Sequence, residues 1–116
     1  MNHSQLSNYQ AGLRACLAKH PQMRVSQIDL LLAIKMNPGR SQIEYAEDTG
    51  LEKSSISRSV QVLSHKGRKE TTLKTALNLV SMVRDTQDER VIRLYLTPSG
   101  EAFVELLMEL TFGTSY

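Results

Sequence analysis

Between Ser41 and Leu63 the chain has room for only two short helices with a sharp turn between them, and this constrains the fold more than any other feature. Asn37-Pro38-Gly39 stops whatever precedes it, because proline lacks a donor and bars its predecessor from the helical region. Ser41 then reads as an N-cap, and Glu44 three residues on completes a capping box. Ile43 and Ala46 are expected to mark the inner face of this helix. It stops at Gly50, a residue suited to a left-handed C-terminal position. A second helix opens with Glu52 in the cap position and Leu51 and Ile56 as a staple. Its apolar residues Ile56, Val60 and Leu63 fall at i, i+4 and i+7, and Gly67 is expected to close it. Segment 41–64 is therefore a helix–turn–helix candidate, with Ala46 and Gly50 small where two helices must cross closely.

Helices are also expected on the N-terminal side. Leu6, Tyr9, Leu13 and Cys16 are spaced 3, 4 and 3 apart, an apolar seam on a helix over 4–19 that His20-Pro21 ends. Ser26 reads as the next N-cap, with Asp29 completing its box and Val25 and Leu30 as staple; Ile28, Leu31, Leu32 and Lys35 continue that helix. Beyond residue 78 the pattern changes. Runs 79–84 and 91–96 favour β-branched and large apolar residues, while 85–90 between them is entirely polar, so the pair reads as a hairpin with an exposed tip. Thr97-Pro98 is an N-cap followed by proline at the first helical position, opening a last helix lined by Ala102, Phe103, Leu106, Leu107 and Leu110. The expected order is four helices, a hairpin and a helix, an α+β fold that is mostly helical.

Composition narrows the function classes. A chain of 116 residues with 41% hydrophobic and 22% charged residues is ordinary for one globular domain. One cysteine allows neither an intrachain disulfide nor a cysteine-based zinc site. The longest apolar run, Leu30 to Ile34, is far short of a membrane span, and the first ten residues lack the apolar core of a secretion signal. A soluble, cytoplasmic protein is expected. The three histidines have no ligand spacing, there is no glycine-rich phosphate loop, and no nucleophile–base pair can be argued. Neither an enzyme nor a metal or cofactor site is expected.

The net charge of +2 excludes a histone-like polycation but hides an uneven distribution. Residues 1–40 hold five basic side chains against Asp29 alone, whereas Glu101, Glu105 and Glu109 recur along one face of the last helix. A nucleic-acid surface is thus expected in the first two thirds, joined by the arginines of 84–93. Opposite Ile56, Val60 and Leu63, the second helix of the helix–turn–helix carries Ser54, Arg58, Gln61 and His65, with Ser55 and Ser57 near its N-terminus. Arginine can donate twice to guanine, glutamine can pair with adenine, and serine can reach a base or a phosphate. A solvated helix can have the same face, so the hairpin that follows is what favours DNA.

A helix–turn–helix followed directly by a hairpin is the winged-helix arrangement, and here the sequence resembles the MarR family of bacterial transcription regulators. The matching residues are Ile43-Glu-Tyr-Ala46, Thr49-Gly-Leu51, Ser54-Ser-Ile-Ser-Arg-Ser-Val60, Leu63 and Gly67, then Leu79-Val80, Asp88-Glu-Arg90 and Leu94-Tyr-Leu-Thr-Pro-Ser-Gly100. They span about two thirds of the chain, and the Asp-x-Arg followed by Leu-Thr-x-x-Gly is the most specific part. The resemblance implies one winged-helix domain over 1–116, with the helix–turn–helix at 41–64, the wing at 79–96, and dimerisation helices at 1–20 and 98–112. It makes 53–64 the recognition helix, with Lys53, Ser54, Ser55, Ser57, Arg58, Gln61 and His65 as DNA-facing residues. Arg90 would be the wing arginine entering the minor groove, held by Asp88, with Arg84 beside it; a narrow minor groove attracts an inserted arginine. Arg40, Ser41, Arg68, Lys69 and Lys74 could add phosphate contacts.

The sequence departs from the family pattern in three places. Residues 68–78 intervene where the family passes straight into the wing. Glu52 stands where Ser, Thr or Asp is usual, which the helix dipole tolerates. About 16 residues follow Gly100, where the family has two long helices that dimerise and frame a ligand pocket. Dimer contacts would then fall on the seam of Leu6, Tyr9, Leu13 and Cys16 and on the face of Phe103, Leu106, Leu107 and Leu110. Some family members sense peroxide with a cysteine near this place; the register of Cys16 instead reads as a buried apolar residue, and no second cysteine could resolve a sulfenic acid. The expected function is a dimeric, sequence-specific binder of double-stranded DNA that represses transcription from a palindromic operator. Two other readings stay open: a plasmid or phage replication or partition protein that binds DNA, and a protein–protein interaction module. A small-molecule effector would mark a ligand-responsive variant.

Overall fold

The computed structural model describes residues 2–64 and 77–113. Within them the elements run α1 (His3–Lys19), α2 (Val25–Met36), α3 (Gln42–Thr49), α4 (Lys53–Leu63), β1 (Val80–Arg84), β2 (Ile92–Leu96) and α5 (Pro98–Phe112). The expected α+β architecture is the one found. The expected closing glycine, Gly67, lies outside the described residues.

Local chemistry explains most of the helix ends. Asn2 caps α1, its carboxamide oxygen accepting from Gln5 N–H at 2.8 Å while Gln5 returns a bond to the Asn2 amide at 3.0 Å. Ser41 and Glu44 form the expected box at the start of α3, and Gly50 ends that helix at φ 77°. Thr97 caps α5, its hydroxyl accepting from Gly100 N–H at 3.0 Å, with Pro98 at the first helical position.

The start of α2 differs from expectation. Arg24, not Ser26, is the cap residue, and its amide donates to the side-chain oxygen of Gln27 at 2.9 Å. Gln27 is buried, so its carboxamide can hold the first turn from within, leaving Ser26 inside the turn. Val25 is 79% exposed and does not staple onto the fully buried Leu30. The hydrophobic run 30–34 makes α2 the central helix, packed against α3, α4, α5 and β2.

In α3 the inner face also differs. Tyr45 is fully buried and Ala46 packs on the core, whereas Ile43 is 53% exposed. Residues two apart on a helix point about 200° away from each other, so drawing Tyr45 inward turns Ile43 out. The Tyr45 hydroxyl sets that phase: it donates to the Asn37 carbonyl at 2.5 Å and accepts from the Arg40 amide at 3.2 Å.

The antiparallel hairpin pairs Val80 with Leu96, Met82 with Leu94 and Arg84 with Ile92; all but the exposed Arg84 pack on the core. It is tied to the helix–turn–helix along both edges. Gly39 N–H donates to the Leu94 carbonyl at 2.8 Å and Leu94 N–H to the Arg40 carbonyl at 3.0 Å, which places Ser41 opposite Arg93. On the other side, Leu79 N–H reaches the Leu63 carbonyl at 2.7 Å and Ser64 pairs with Val80. α1 packs chiefly along α5, away from this unit.

The glycine of Leu-Thr-x-x-Gly has a steric reason. A methyl group on Gly100 would strike the Leu79 carbonyl, which already accepts from Thr97 N–H at 3.0 Å.

Candidate nucleic-acid interface

The two faces of α4 divide as the apolar spacing predicts. Ile56, Ser59, Val60 and Leu63 are buried, while Lys53, Ser54, Arg58 and Gln61 are exposed and Ser55 and Ser57 are half-buried. The turn into α4 is held by Thr49, whose hydroxyl donates to the Tyr45 carbonyl at 2.8 Å and accepts from Leu51 N–H at 3.2 Å. Glu52 occupies the cap position without a side-chain cap bond. Lys53 and Arg58 form no ion pair among the described residues, so neither charge is neutralised locally. His65, Arg68, Lys69 and Lys74 lie outside the described residues.

The wing carries three arginines, and the structure gives each a different task. Arg90 at the tip has a side chain that is 90% exposed. Asp88 orients it by accepting from its amide at 3.1 Å, its Nε at 3.1 Å and its Nη2 at 3.3 Å. These bonds, the side-chain ones foremost, hold the Asp88 carboxyl below the usual carboxylate range. Arg84 braces the tip instead, donating to the Glu89 carbonyl at 2.6 Å.

Arg93, which the sequence places only among the arginines of 84–93 expected at the nucleic-acid surface, is instead engaged within the chain. It donates to the Gly39 carbonyl at 2.8 Å and to Asp85 at 3.0 Å, locking the wing against the segment that leads into α3. Asp85 accepts from Gln87 N–H as well, and these contacts hold its carboxyl low. The sequence signal is the position of an acid closing the first strand diagonally across from an arginine in the second.

Two expected phosphate contacts are engaged within the chain. Arg40 pairs with Asp48 at 2.8 Å, and the Ser41 amide donates to Glu44 at 2.9 Å. That contact pulls the Glu44 carboxyl below its ordinary value.

The expected dimer face is also redistributed. Leu6 and Tyr9 are exposed, and Leu13, Leu106, Leu107 and Leu110 are half-buried. Cys16 and Phe103 are 1% and 4% exposed within the chain's own core and offer no surface to a second copy. They point toward the α1–α5 contact, where Phe103 also meets the His20 ring at 5.5 Å. Met108 and Phe112, which the sequence reading passed over, are exposed on α5. Burial raises the Cys16 thiol pKa, which disfavours the reactive thiolate. Among the described residues no group of three His, Cys, Asp or Glu could hold a metal ion, and no helix is long and apolar enough to cross a membrane.

No protein-family model and no curated protein sequence matches the chain. Solved structures do. The transcriptional repressor CouR bound to a 23-mer DNA duplex is 27% identical, with a TM-score of 0.64 over 91% of this chain and 66% of that one. The transcriptional regulator Tm0710 from Thermotoga maritima is 20% identical, with a TM-score of 0.68 and coverages of 91% and 66%. Wild-type MarR from E. coli, in its apo form, is 18% identical, with a TM-score of 0.66 and coverages of 95% and 73%. The chain thus spans just under two thirds of the CouR and Tm0710 chains. Its architecture is that of the MarR-type winged helix.

Proposed function

We propose that this MarR-type winged helix is a sequence-specific double-stranded-DNA-binding transcriptional regulator, a repressor that acts as a homodimer on a palindromic operator. The observation that carries the reading is the outer face of α4: Lys53, Ser54, Arg58 and Gln61 stand exposed on a helix that contains no acidic residue and whose opposite side is fixed in the core. A wing arginine presented at the hairpin tip supports it, as does the likeness to a repressor solved on a DNA duplex.

In this reading α4 lies in the major groove and Arg58 and Gln61 read base edges. Arg90 reaches the adjacent minor groove, aimed by Asp88. Two copies joined through α1 and α5, by way of Leu6, Tyr9, Met108 and Phe112, would set their recognition helices about one helical turn apart, roughly 10 bp. Repression follows from occupying a promoter that polymerase needs.

The test is selection of bound duplexes from a genomic pool, then titration at about 50 and 200 mM salt. An enriched inverted repeat bound with steeply salt-dependent affinity is expected. Arg58→Ala or Gln61→Ala should each weaken that specific complex by about 1–3 kcal/mol and relax preference at one base position. Salt-sensitive binding without a consensus would replace the operator reading with a replication or partition role. Absence of binding at the lower salt would leave a protein–protein module.

A further inference from the structure

A polar cleft of about 430 Å³ separates the N-terminus of α2 from α4. Arg24, Ser26 and Gln27 line it from α2 and its cap; Ser55, Arg58 and Ser59 are among the residues that line it from α4. None of its lining residues is acidic. Arg24 and Arg58 form no ion pair among the described residues. Two unneutralised guanidinium groups on one cleft repel each other unless an anion lies between them.

Two buried polar groups reinforce this reading. Ser59 is only 4% exposed, yet among the described residues its hydroxyl makes no hydrogen bond, and it opens on the cleft. A hydroxyl that faces the cleft with no partner among those residues is available to donate to an oxygen bound there. Gln27 is 6% exposed; its carboxamide oxygen is used by the Arg24 amide, which leaves its NH2 group to donate. At the first turn of α2 the Gln27 amide donates to the Arg24 carbonyl at 3.0 Å, while the two amides before it precede any intrahelical acceptor, and the helix dipole favours negative charge.

The Arg24 fork, the serine hydroxyls, the Gln27 NH2 and a helix N-terminus together make a donor-rich site, free of carboxylates, for a tetrahedral oxyanion. Arg58 belongs both to this cleft and to the exposed face of α4. We infer that the cleft seats one backbone phosphodiester of the bound duplex, flanking the groove that α4 occupies, with Arg24 as its charged clamp and Ser59 as its inner donor. The inference rests on the DNA-binding reading above and adds to it the contact that fixes the depth and tilt of α4. Phosphate contacts position a protein on DNA without selecting sequence, so Arg24 should matter equally for every duplex.

The experiment uses the full chain, its selected duplex and an unrelated duplex of equal length, titrated across a salt series. Arg24→Gln should weaken binding to both duplexes in parallel and lower the slope of log K against log salt by about 0.9. Between 50 and 200 mM salt the variant should therefore lose roughly 3.5-fold less affinity than the wild-type chain. Arg24→Lys should keep the slope, and Ser59→Ala should weaken binding with the slope unchanged. Ethylation of a single phosphate should block the wild-type chain and lose its effect on Arg24→Gln. An unchanged slope in Arg24→Gln, with wild-type affinity in Ser59→Ala, would overturn the cleft assignment while leaving DNA binding intact. Failure of the wild-type chain to bind either duplex would instead remove the DNA reading on which the assignment rests.

Discussion

Tyr45→Phe is the substitution that most directly tests how the helix–turn–helix is held to the wing. The ring is fully buried, and its hydroxyl donates to the Asn37 carbonyl at 2.5 Å while accepting from the Arg40 amide at 3.2 Å. The Leu94 carbonyl, 3.5 Å away, already accepts from Gly39 N–H at 2.8 Å, so it gains little from the phenol. Deleting the oxygen keeps the ring's packing and strands one donor and one acceptor. Leaving a buried polar group unsatisfied costs about 1–3 kcal/mol, and because Asn37 is exposed and Arg40 half-buried, water can recover some of it. The expected loss is about 1–2 kcal/mol at neutral pH, read by urea unfolding followed by circular dichroism. Hydrogen exchange at the Arg40 amide should quicken at the same time. Burial also raises the Tyr45 pKa above the ordinary 10.0. The folded chain thus holds this proton more tightly than the unfolded one. Its contribution is intact below about pH 10 and drains away as pH rises through the folded-state value. The stability gap between wild type and Tyr45→Phe should therefore narrow in strong alkali. No gap at neutral pH, or one that is flat through pH 11, would refute the reasoning.

Other outcomes follow from the same structure. Gly100→Ala drives a methyl group into the Leu79 carbonyl and should cost about 1–3 kcal/mol in unfolding experiments, since backbone cannot yield as a side chain would. Arg90→Ala should weaken binding most on duplexes with narrow A·T-rich minor grooves, and Asp88→Asn should weaken it less, as the arginine stays but loses its aim; equal effects on G·C-rich duplexes would contradict the wing assignment. The Asp88 carboxyl sits low in the folded chain, so its clamp is intact at neutral pH and lost only as acid takes it below 3.8; wing-dependent binding should accordingly be flat from about pH 6 to 8. Cys16 should resist alkylation and peroxide in the native protein and react once denatured, as mass spectrometry would show; rapid native modification would reverse that reading.

What could be read from the sequence, and what could not, separates along a physical line. Features set by neighbours along the chain were legible: the Ser41–Glu44 box, the left-handed Gly50, Thr97-Pro98, and the 56, 60, 63 stripe that fixes the phase of α4. Features set by contacts far apart in sequence were not. Ile43 looked like a core residue because it is aliphatic, yet the Tyr45 hydroxyl, reaching back to residues 37 and 40, turns it outward. Ser26 had the chemistry of a cap, but a buried glutamine one position later supplied the cap bond from the side. Cys16 and Phe103 fell on plausible seams, and only the packing of α1 against α5 shows that the chain fills those seams itself.

The same distinction bears on how the interface could work. A recognition helix and a wing contact different grooves, so their mutual placement decides whether both can engage one duplex. Here that placement is fixed from two sides. Gly39 and Arg40 are stitched to Leu94, and Arg93 bridges Gly39 to Asp85 across 54 and 8 residues of sequence. On the opposite edge the end of α4 bonds directly to the strand entering the wing, through Leu63 and Leu79. Arg90, whose side chain is 90% exposed, is thus mounted on a frame that shares backbone hydrogen bonds with α4 itself. Holding both contacts at a set distance lowers the entropy that binding must overcome, which is the advantage a preorganised surface has over two independent loops.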